Sequence, residues 1–359
     1  MKKALVLGRG GSGKAAEALL KSDGWEVDFA DGYDLVVASP GMRVESELQL
    51  GVTALKRAGV RMLAVTGSKG KSSVVKVVAD ALNLAGRRAV PCGNFGLPVS
   101  SVRDCEWAVV EVSSFQLETT HLPPDTFEAA AILNLQEDHL DRHGSAAVYH
   151  ALKMKLAGMA KVAFVCEADA SGDALFAGSY FDNDVLRVNG RIAAALMRAA
   201  GLDDAQVRAA FAAFEPLPHR MNLVGVFGGV RCVDDSKATS LAALAAGVVM
   251  AGRDIRLIAG GLPKGDDPNS VLSPLTNRVK KVYLIGVSAE TFASAWSGAV
   301  DCEICGTMDR AVARAMQDAA PGETLLLSPG TASFDQFKSY GERGEVFAGL
   351  VKQEGKKKT

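Results

Sequence analysis

No excess of either charge marks this chain: 40 Lys plus Arg stand against 41 Asp plus Glu, for a formal net charge of −1. That balance supplies no electrostatic argument for a nucleic-acid or membrane-surface partner, and neither is expected. An anionic small substrate would have to be held by local basic groups. Long apolar runs are missing too, since none reaches the ~20 residues that a membrane span needs. The opening MKKALVLGRGG has two lysines and then a short apolar run, Ala4 to Leu7, which glycines break. It reads as a first β-strand and not as a signal peptide. Cysteine is sparse: Cys92, Cys105, Cys166, Cys232, Cys302 and Cys305 show no paired metal-ligand spacing apart from one C-x-x-C at 302–305. Ordinary buried or half-buried thiols explain that pair better than a zinc or redox site does, and a reducing cytoplasm is the expected compartment. Repeats are absent, and the basic tail Lys356, Lys357, Lys358 reads as a frayed, solvated end.

What is present is alternation. Short apolar strands and amphipathic helices follow one another along most of the 359 residues, the pattern of parallel α/β sheets, and the length suggests roughly two or three domains. A strand at Ala4 to Leu7, a glycine turn, a helix near Lys14 to Ser22 and strands at Trp25 to Phe29 and Asp34 to Ala38 form a first unit, which Ser39-Pro40-Gly41 ends. A helix from about Glu45 to Ala58 leads to the strand Met62 to Val65, so the first boundary falls near residue 60. Strands at Ala108 to Val112, Ala130 to Leu133 and Val162 to Cys166 belong to a second unit, closed by the two prolines of Glu215-Pro216-Leu217-Pro218. Strands at Val230 to Val233, Ile255 to Ala259, Val282 to Ile285 and Thr324 to Leu327 build a third. The expected fold is α/β in three domains, over residues 1–60, 61–218 and 219–359.

Two glycine loops compete for a phosphate. Gly8-Arg9-Gly10-Gly11-Ser12-Gly13-Lys14 follows a strand and opens a helix, and Asp28 lies near the end of the next strand. These residues fit a G-x-G-x-x-G dinucleotide fingerprint, which keeps a nicotinamide-dependent oxidoreductase open, and they also fit a tight strand-to-helix turn. As a triphosphate loop they fail, because Ala15 stands where a metal-binding hydroxyl is needed. The second loop, Thr66-Gly67-Ser68-Lys69-Gly70-Lys71-Ser72-Ser73, has Val65 in place of the first glycine of a strict P-loop but keeps Gly70-Lys71-Ser72 intact. It offers curled backbone N–H groups, a lysine for the outer phosphates and a hydroxyl for a metal. This loop is read as the nucleotide site.

Glu111 ends the strand Ala108-Val109-Val110, where α/β sheets place ligand and metal groups. Asn134 to His143 concentrates His139, His143, Glu137, Asp138, Asp141 and Arg142 after the next strand. A charged helix start is the ordinary reading of such a run, but its place after a strand of the same sheet favours a metal-and-phosphate site. Lys153 is expected on the helix that this segment begins.

These residues resemble the Mur ligase family. The resemblance rests on Thr66-Gly67-x-x-Gly70-Lys71-Ser72, Glu111-Val112-Ser113-Ser114-Phe115-Gln116-Leu117 and Asn134-x-x-x-Asp138-His139-Leu140-Asp141-Arg142, in the family's order. His219-Arg220, Asp234-Asp235-Ser236-Lys237-Ala238-Thr239 and Leu327-Ser328-Pro329-x-x-Ala332-Ser333-Phe334-Asp335-Gln336-Phe337-Lys338 are similar to the members that add D-glutamate. It spans residues 4 to about 350.

The resemblance implies a trimmed Rossmann-like N-terminal domain for a UDP-sugar, a central P-loop ATPase-type parallel sheet and a C-terminal Rossmann-like amino-acid domain. It implies ATP and two Mg²⁺ sites as cofactors, and UDP-N-acetylmuramoyl-L-alanine and D-glutamate as partners, with a monomer as the expected form. Carried over residue by residue, Gly67, Ser68, Lys69, Gly70, Lys71, Ser72 and Ser73 line the ATP phosphates, and Arg220, Asp235 and Lys237 join them. Ser72 and Glu111 fall on one metal, His139 and a carbamylated Lys153 on a second, and Lys71, His139 and Lys153 form the catalytic set. Gly8, Gly10, Gly11, Ser12, Asp28, Asn94 and Ser113 fall to the UDP substrate, and Thr239, Lys264, Ser333 and Phe334 to the amino acid. The implied activity is amide ligation through an acyl phosphate, with another amino acid, such as L-glutamate, or another acyl acceptor as the alternative.

Overall fold

In a computed structural model of the chain, residues 2–30, 45–136, 139–167 and 170–357 are described. The expected strand at Asp34 to Ala38, its Ser39-Pro40-Gly41 stop, Glu137, Asp138 and Lys358 lie outside them. The chain divides into two compact units, Met1–Phe214 and Glu215–Thr359, and the division falls on the proline-rich segment 215–218.

The first unit begins with β1 (Lys2–Leu7), α1 (Gly11–Ser22) and β2 (Trp25–Ala30), a parallel two-stranded sheet with its crossover helix. Next come α2 (Glu47–Arg57), β3 (Arg61–Thr66), α3 (Lys71–Leu84), β4 (Ala89–Gly93), β5 (Trp107–Glu111), α4 (Ser114–Thr119) and β6 (Ala129–Ile132). The short α5 (Leu140–His143), then α6 (Ala146–Met154), β7 (Ala163–Val165), α7 (Arg187–Ala199) and α8 (Asp204–Ala212) complete it. Five strands make one parallel sheet in the order β4-β5-β3-β6-β7. β3 is central and its Met62 to Val65 are fully apolar and buried, as a parallel strand covered on both faces requires. Because the chain leaves β3 for one side of the sheet and returns later to the other, a crevice opens at the carboxyl end of β3.

The second unit holds β8 (Asn222–Phe227), β9 (Val230–Asp234), α9 (Leu241–Ala251), β10 (Ile255–Gly260), α10 (Leu272–Arg278), β11 (Val279–Ile285) and α11 (Ala289–Trp296). After them run β12 (Asp301–Gly306), α12 (Met308–Asp318), β13 (Thr324–Leu327) and α13 (Tyr340–Gly355). Its sheet runs β12-β11-β10-β13-β9-β8, parallel except for β8. Two apolar layers cover it, one with Leu257, Val282 and Trp296 and the other with Ile258, Tyr283 and Phe347.

Three strands escaped the sequence pattern, and each lies at a sheet edge: β4, β8 and β12. β4 contains Pro91, which only an edge strand tolerates, because Pro has no N–H for the ladder. Lys153 is not on the helix that begins after His139: α5 stops at His143, and α6 starts afresh with Ser145 as its N-cap.

Helix α2 packs on the turn Val99–Ser101 through Gly51, where an added Cβ would stand 2.6 Å from the Ser100 N and 2.7 Å from the Val99 carbonyl carbon. The turn cannot retreat, since the Ser100 N–H and hydroxyl both donate to Glu47 Oε1, at 2.7 and 2.6 Å. Alanine in a helix interior ordinarily gains about 1 kcal/mol over glycine. Here the overlap wins, and Gly51→Ala is expected to cost about 1–3 kcal/mol, read as a lower urea midpoint; a raised midpoint would show that the turn gives way.

Candidate functional site

The loop after β3 is fastened from three directions. Thr66 Oγ1 donates to the Val112 carbonyl at 2.7 Å, and Leu133 N–H to the Thr66 carbonyl at 2.9 Å, which joins the ends of β3, β5 and β6. Asn134 grips the loop at both ends of one residue: its Oδ1 accepts from Lys69 N–H at 2.8 Å and its Nδ2 donates to the Lys69 carbonyl at 3.0 Å. Lys69 is thereby held at its backbone. Ser68 Oγ donates to the Gln136 carbonyl at 2.7 Å and accepts from the Gln136 N–H at 3.0 Å, and Tyr149 OH donates to it at 3.2 Å. Gly70 caps α3 in the left-handed region, φ 86°, which strains any other residue, and a Cβ there would overlap the Asn189 carboxamide of α7.

That geometry leaves the N-terminus of α3 pointing at the crevice, a natural anion site. Lys71 Nζ folds back to donate to the carbonyls of Gly67 at 2.8 Å and Ser68 at 3.2 Å. The buried Lys153 donates to the same Gly67 oxygen at 2.9 Å and lies over the Tyr149 ring, 4.5 Å from its centroid. Two ammonium groups thus meet at one loop carbonyl. Ser72 and Ser73 occupy the first turn of α3, Ser72 half-buried and Ser73 buried.

Across the same sheet edge, Glu111 is 2% exposed. One of its oxygens accepts from Asn94 Nδ2 at 2.8 Å, and Asn94 N–H donates to the Glu111 carbonyl at 2.9 Å. The other, Oε2, is buried with no hydrogen-bond partner. A buried carboxylate with a bare oxygen is costly unless a cation completes it, so the residues fit an oxygen-seeking metal such as Mg²⁺. No cluster of three or more His, Cys, Asp or Glu that could hold a metal exists among the described residues, so Glu111 would share such an ion with hydroxyls, phosphate oxygens and water. Ser113 is the N-cap of α4, in a capping box with Gln116. His139 is exposed, in a left-handed backbone conformation with φ 54°, its ring 5.0 Å from Phe115. Behind it His143 is wedged between Phe115 and Tyr149, with Nε2 3.0 Å from Ser114 Oγ and Nδ1 3.3 Å from Glu118.

The first loop behaves as a turn onto a helix: Gly8, φ 87°, donates its N–H to the Ala30 carbonyl, and Gly10 caps α1, whose first residues are Gly11 and Ser12. Asp28 sits within β2, exposed.

In the second unit the loops after β9, β10 and β13 meet at the carboxyl edge. Lys264 Nζ donates to Thr239 Oγ1 at 3.5 Å, and Leu262 and Ala332 form an antiparallel bridge that sets the buried Ser333 beside them; Phe334 is 70% exposed. His219 Nδ1 lies 2.7 Å from Asp234 Oδ2, the Lys237 N–H donates to the His219 carbonyl, and Lys237 Nζ covers the Tyr340 ring at 3.8 Å. Arg220 is half-buried and acts electrostatically on Asp235. Asp235 accepts from Ser328 Oγ at 2.9 Å and Met221 N–H at 3.3 Å, yet burial pushes its carboxyl up to about 7.

Sequence reasoning missed Tyr149 and Asn189. The first lies four residues before Lys153 on α6, and helical spacing was the signal for it. Asn189 reaches Gly70 only because α7 packs beside α3, which no local pattern announces.

The chain matches the Mur ligase middle domain over residues 65–227 and the Mur ligase glutamate ligase domain over residues 219–330. It is 39% identical to the UDP-N-acetylmuramoylalanine--D-glutamate ligase of Cereibacter sphaeroides, over 81% of this chain and 74% of that protein. It is 32% identical to that of Acidobacterium capsulatum, over 98% and 96%. Among solved structures, the MurF ligase from Thermotoga maritima in complex with ADP superposes with a TM-score of 0.67 at 16% identity, covering 99% of this chain and 95% of that one. The UDP-N-acetylmuramate-alanine ligase MurC from the same organism gives 0.62 at 16%, with 98% and 99% covered. These structures share the fold.

An unfolded Asp titrates near 3.9, and Asp235 in the folded chain near 7. Between those values the folded state keeps a proton that the unfolded state has lost, so this group's contribution to stability falls as pH rises through that window. Urea titrations across it are expected to show the fall, and Asp235→Asn to remove on the order of a few kcal/mol of the difference. Parallel profiles for the two proteins would rule this out.

Proposed function

The chain belongs to the Mur ligase family, and from that premise we propose that it joins D-glutamate to UDP-N-acetylmuramoyl-L-alanine at the expense of ATP, in peptidoglycan synthesis. The observation that carries the chemistry is the pairing of a phosphate-shaped loop with the bare oxygen of Glu111 at one sheet edge. The choice of substrates rests on the named relatives, which match 81% and 98% of the chain.

The loop Gly67 to Ser73 holds the ATP phosphates through the N-terminus of α3, and Lys71 turns from its own loop's carbonyls to the outer phosphates. In the second unit, Arg220, Asp235 and Lys237 serve the nucleotide. Two Mg²⁺ ions belong to this reading, one held by Ser72 and Glu111 and one by His139 and Lys153, and when bound they would supply charge neutralisation on the transferring phosphoryl group. Lys153 takes part as its carbamate, because an ammonium repels a cation whereas a carbamate offers oxygens.

The alanyl carboxylate attacks the γ-phosphorus of ATP, the bond to ADP breaks, and an acyl phosphate forms. The amine of D-glutamate adds to the acyl carbon, and the tetrahedral intermediate expels phosphate to leave the amide. Asn94 and Ser113 face the acyl substrate, and Gly8, Gly10, Gly11, Ser12 and Asp28 its UDP part. Thr239, Lys264, Ser333 and Phe334 hold the glutamate, whose two carboxylates call for a cation and hydroxyl donors. Residues 1–60, 61–218 and 219–359 carry the sugar-nucleotide, ATP and amino-acid roles in turn. No helix among the described residues is long and apolar enough to cross a membrane, and with ATP as co-substrate the reaction is assigned to the cytoplasm.

Phosphate release from ATP, assayed with UDP-N-acetylmuramoyl-L-alanine and each amino acid in turn, tests the reading: D-glutamate is expected to support turnover, and turnover with L-glutamate alone would replace it. Lys71→Ala is expected to abolish ligation with the fold intact, and near wild-type rates would remove the loop from the ATP site. Lys153→Ala should lose most activity and regain part of it with added acetate, which fits the vacated volume. Full activity without any additive would exclude the carbamate.

A further inference from the structure

One buried cation of the second unit is used by none of these steps. Arg343, on α13, is 0% exposed. Its Nε donates to Ser236 Oγ at 3.0 Å and its Nη2 to the Ser236 carbonyl at 2.9 Å, both in the loop after β9. Nη2 also reaches the Thr331 carbonyl at 3.1 Å, and Nη1 the Ala332 carbonyl at 3.2 Å, in the loop after β13. Ala332 in turn exchanges both backbone hydrogen bonds with Leu262, at 2.9 and 3.0 Å, in the loop after β10. One planar group therefore bonds the loops that bear Thr239 and Ser333 directly, and through Ala332 braces the third, which bears Lys264.

We propose that Arg343 is the positioning residue of the amino-acid pocket, holding these three loops in the spacing that a dicarboxylic amino acid requires. The inference rests on the assignment of Thr239, Lys264 and Ser333 to the glutamate. The side chain's chemistry argues for this role over simple stability. All four of its hydrogen-bond acceptors are neutral, so the cation is desolvated without a carboxylate in hydrogen-bond contact; burial lowers it to about 10, still charged at neutral pH. A packed apolar side chain would fill the same space at lower cost. What an apolar residue cannot do is bond two loops at once, and a lysine, with three donors on a single atom, cannot span four acceptors spread over both.

The test compares wild type with Arg343→Lys, which keeps the charge and loses the fork. KM for D-glutamate is expected to rise about tenfold or more, as a small misplacement of binding groups allows, with KM for ATP and for the UDP substrate within about twofold. An unchanged KM for D-glutamate, or a joint rise of all three, overturns the proposal. Should Arg343→Lys fail to fold, Ser236→Ala removes the Nε acceptor alone from the arginine's set, and it too must raise KM for D-glutamate selectively or the proposal fails. Amide hydrogen exchange at Leu262 and Ala332 gives a readout independent of substrate: it must be faster in Arg343→Lys, and equal rates overturn the loop-fixing role. If wild type does not turn over D-glutamate at all, the assigned substrate is wrong, while the exchange rates still decide whether Arg343 fixes the loops.

Discussion

Val65 pairs with Glu111, and Thr66 with Ile132, in parallel register, and the first unit's site is built on that alignment. Parallel strands end on the same side, so the turn after β3, the carboxylate closing β5 and the loop after β6 arrive together with no element dedicated to assembling them. Buried backbone groups at those ends must be satisfied, and Thr66, Ser68 and Asn134 do so by bonding across from one strand end to the next. Satisfying the backbone and shaping the phosphate loop are here one set of hydrogen bonds.

The site's charges are arranged less economically. Lys71 and Lys153 share the Gly67 carbonyl, while Glu111 keeps a buried oxygen without a partner. Core polar groups are ordinarily satisfied, and an exception at a sheet edge that also carries an anion-binding helix start is where function is expected to be stored. On the proposed reading, a metal beside the nucleotide phosphates would complete the bare oxygen of Glu111.

The second unit answers the same problem with buried single charges. Asp235 is pushed up to about 7 by burial, against the pull of a serine hydroxyl, and Arg343 is spread over four neutral oxygens. Both stand at the carboxyl edge of the sheet, among the loops after β9 and β13. Loops have no ladder of their own to fix them, so side chains reaching between loops take over that work.

The alternation of strands and helices, the glycine turn before Lys71, the carboxylate at a strand end and the family motifs could all be read from consecutive residues, because strand period, helix caps and loop chemistry are local. Even so, β4, β8 and β12 went unread, since an edge strand buries only part of its surface and tolerates proline, glycine and charge that hide its pattern. Tertiary structure alone decided that Asn189 rests on Gly70, that Lys153 sits on a separate helix yet reaches the same carbonyl as Lys71, that one oxygen of Glu111 stays bare and that Arg343 bonds two loops at once. The reason is the same in each case: these contacts join segments far apart in the chain, and which segments meet is set by strand order and helix packing, not by the residues beside them.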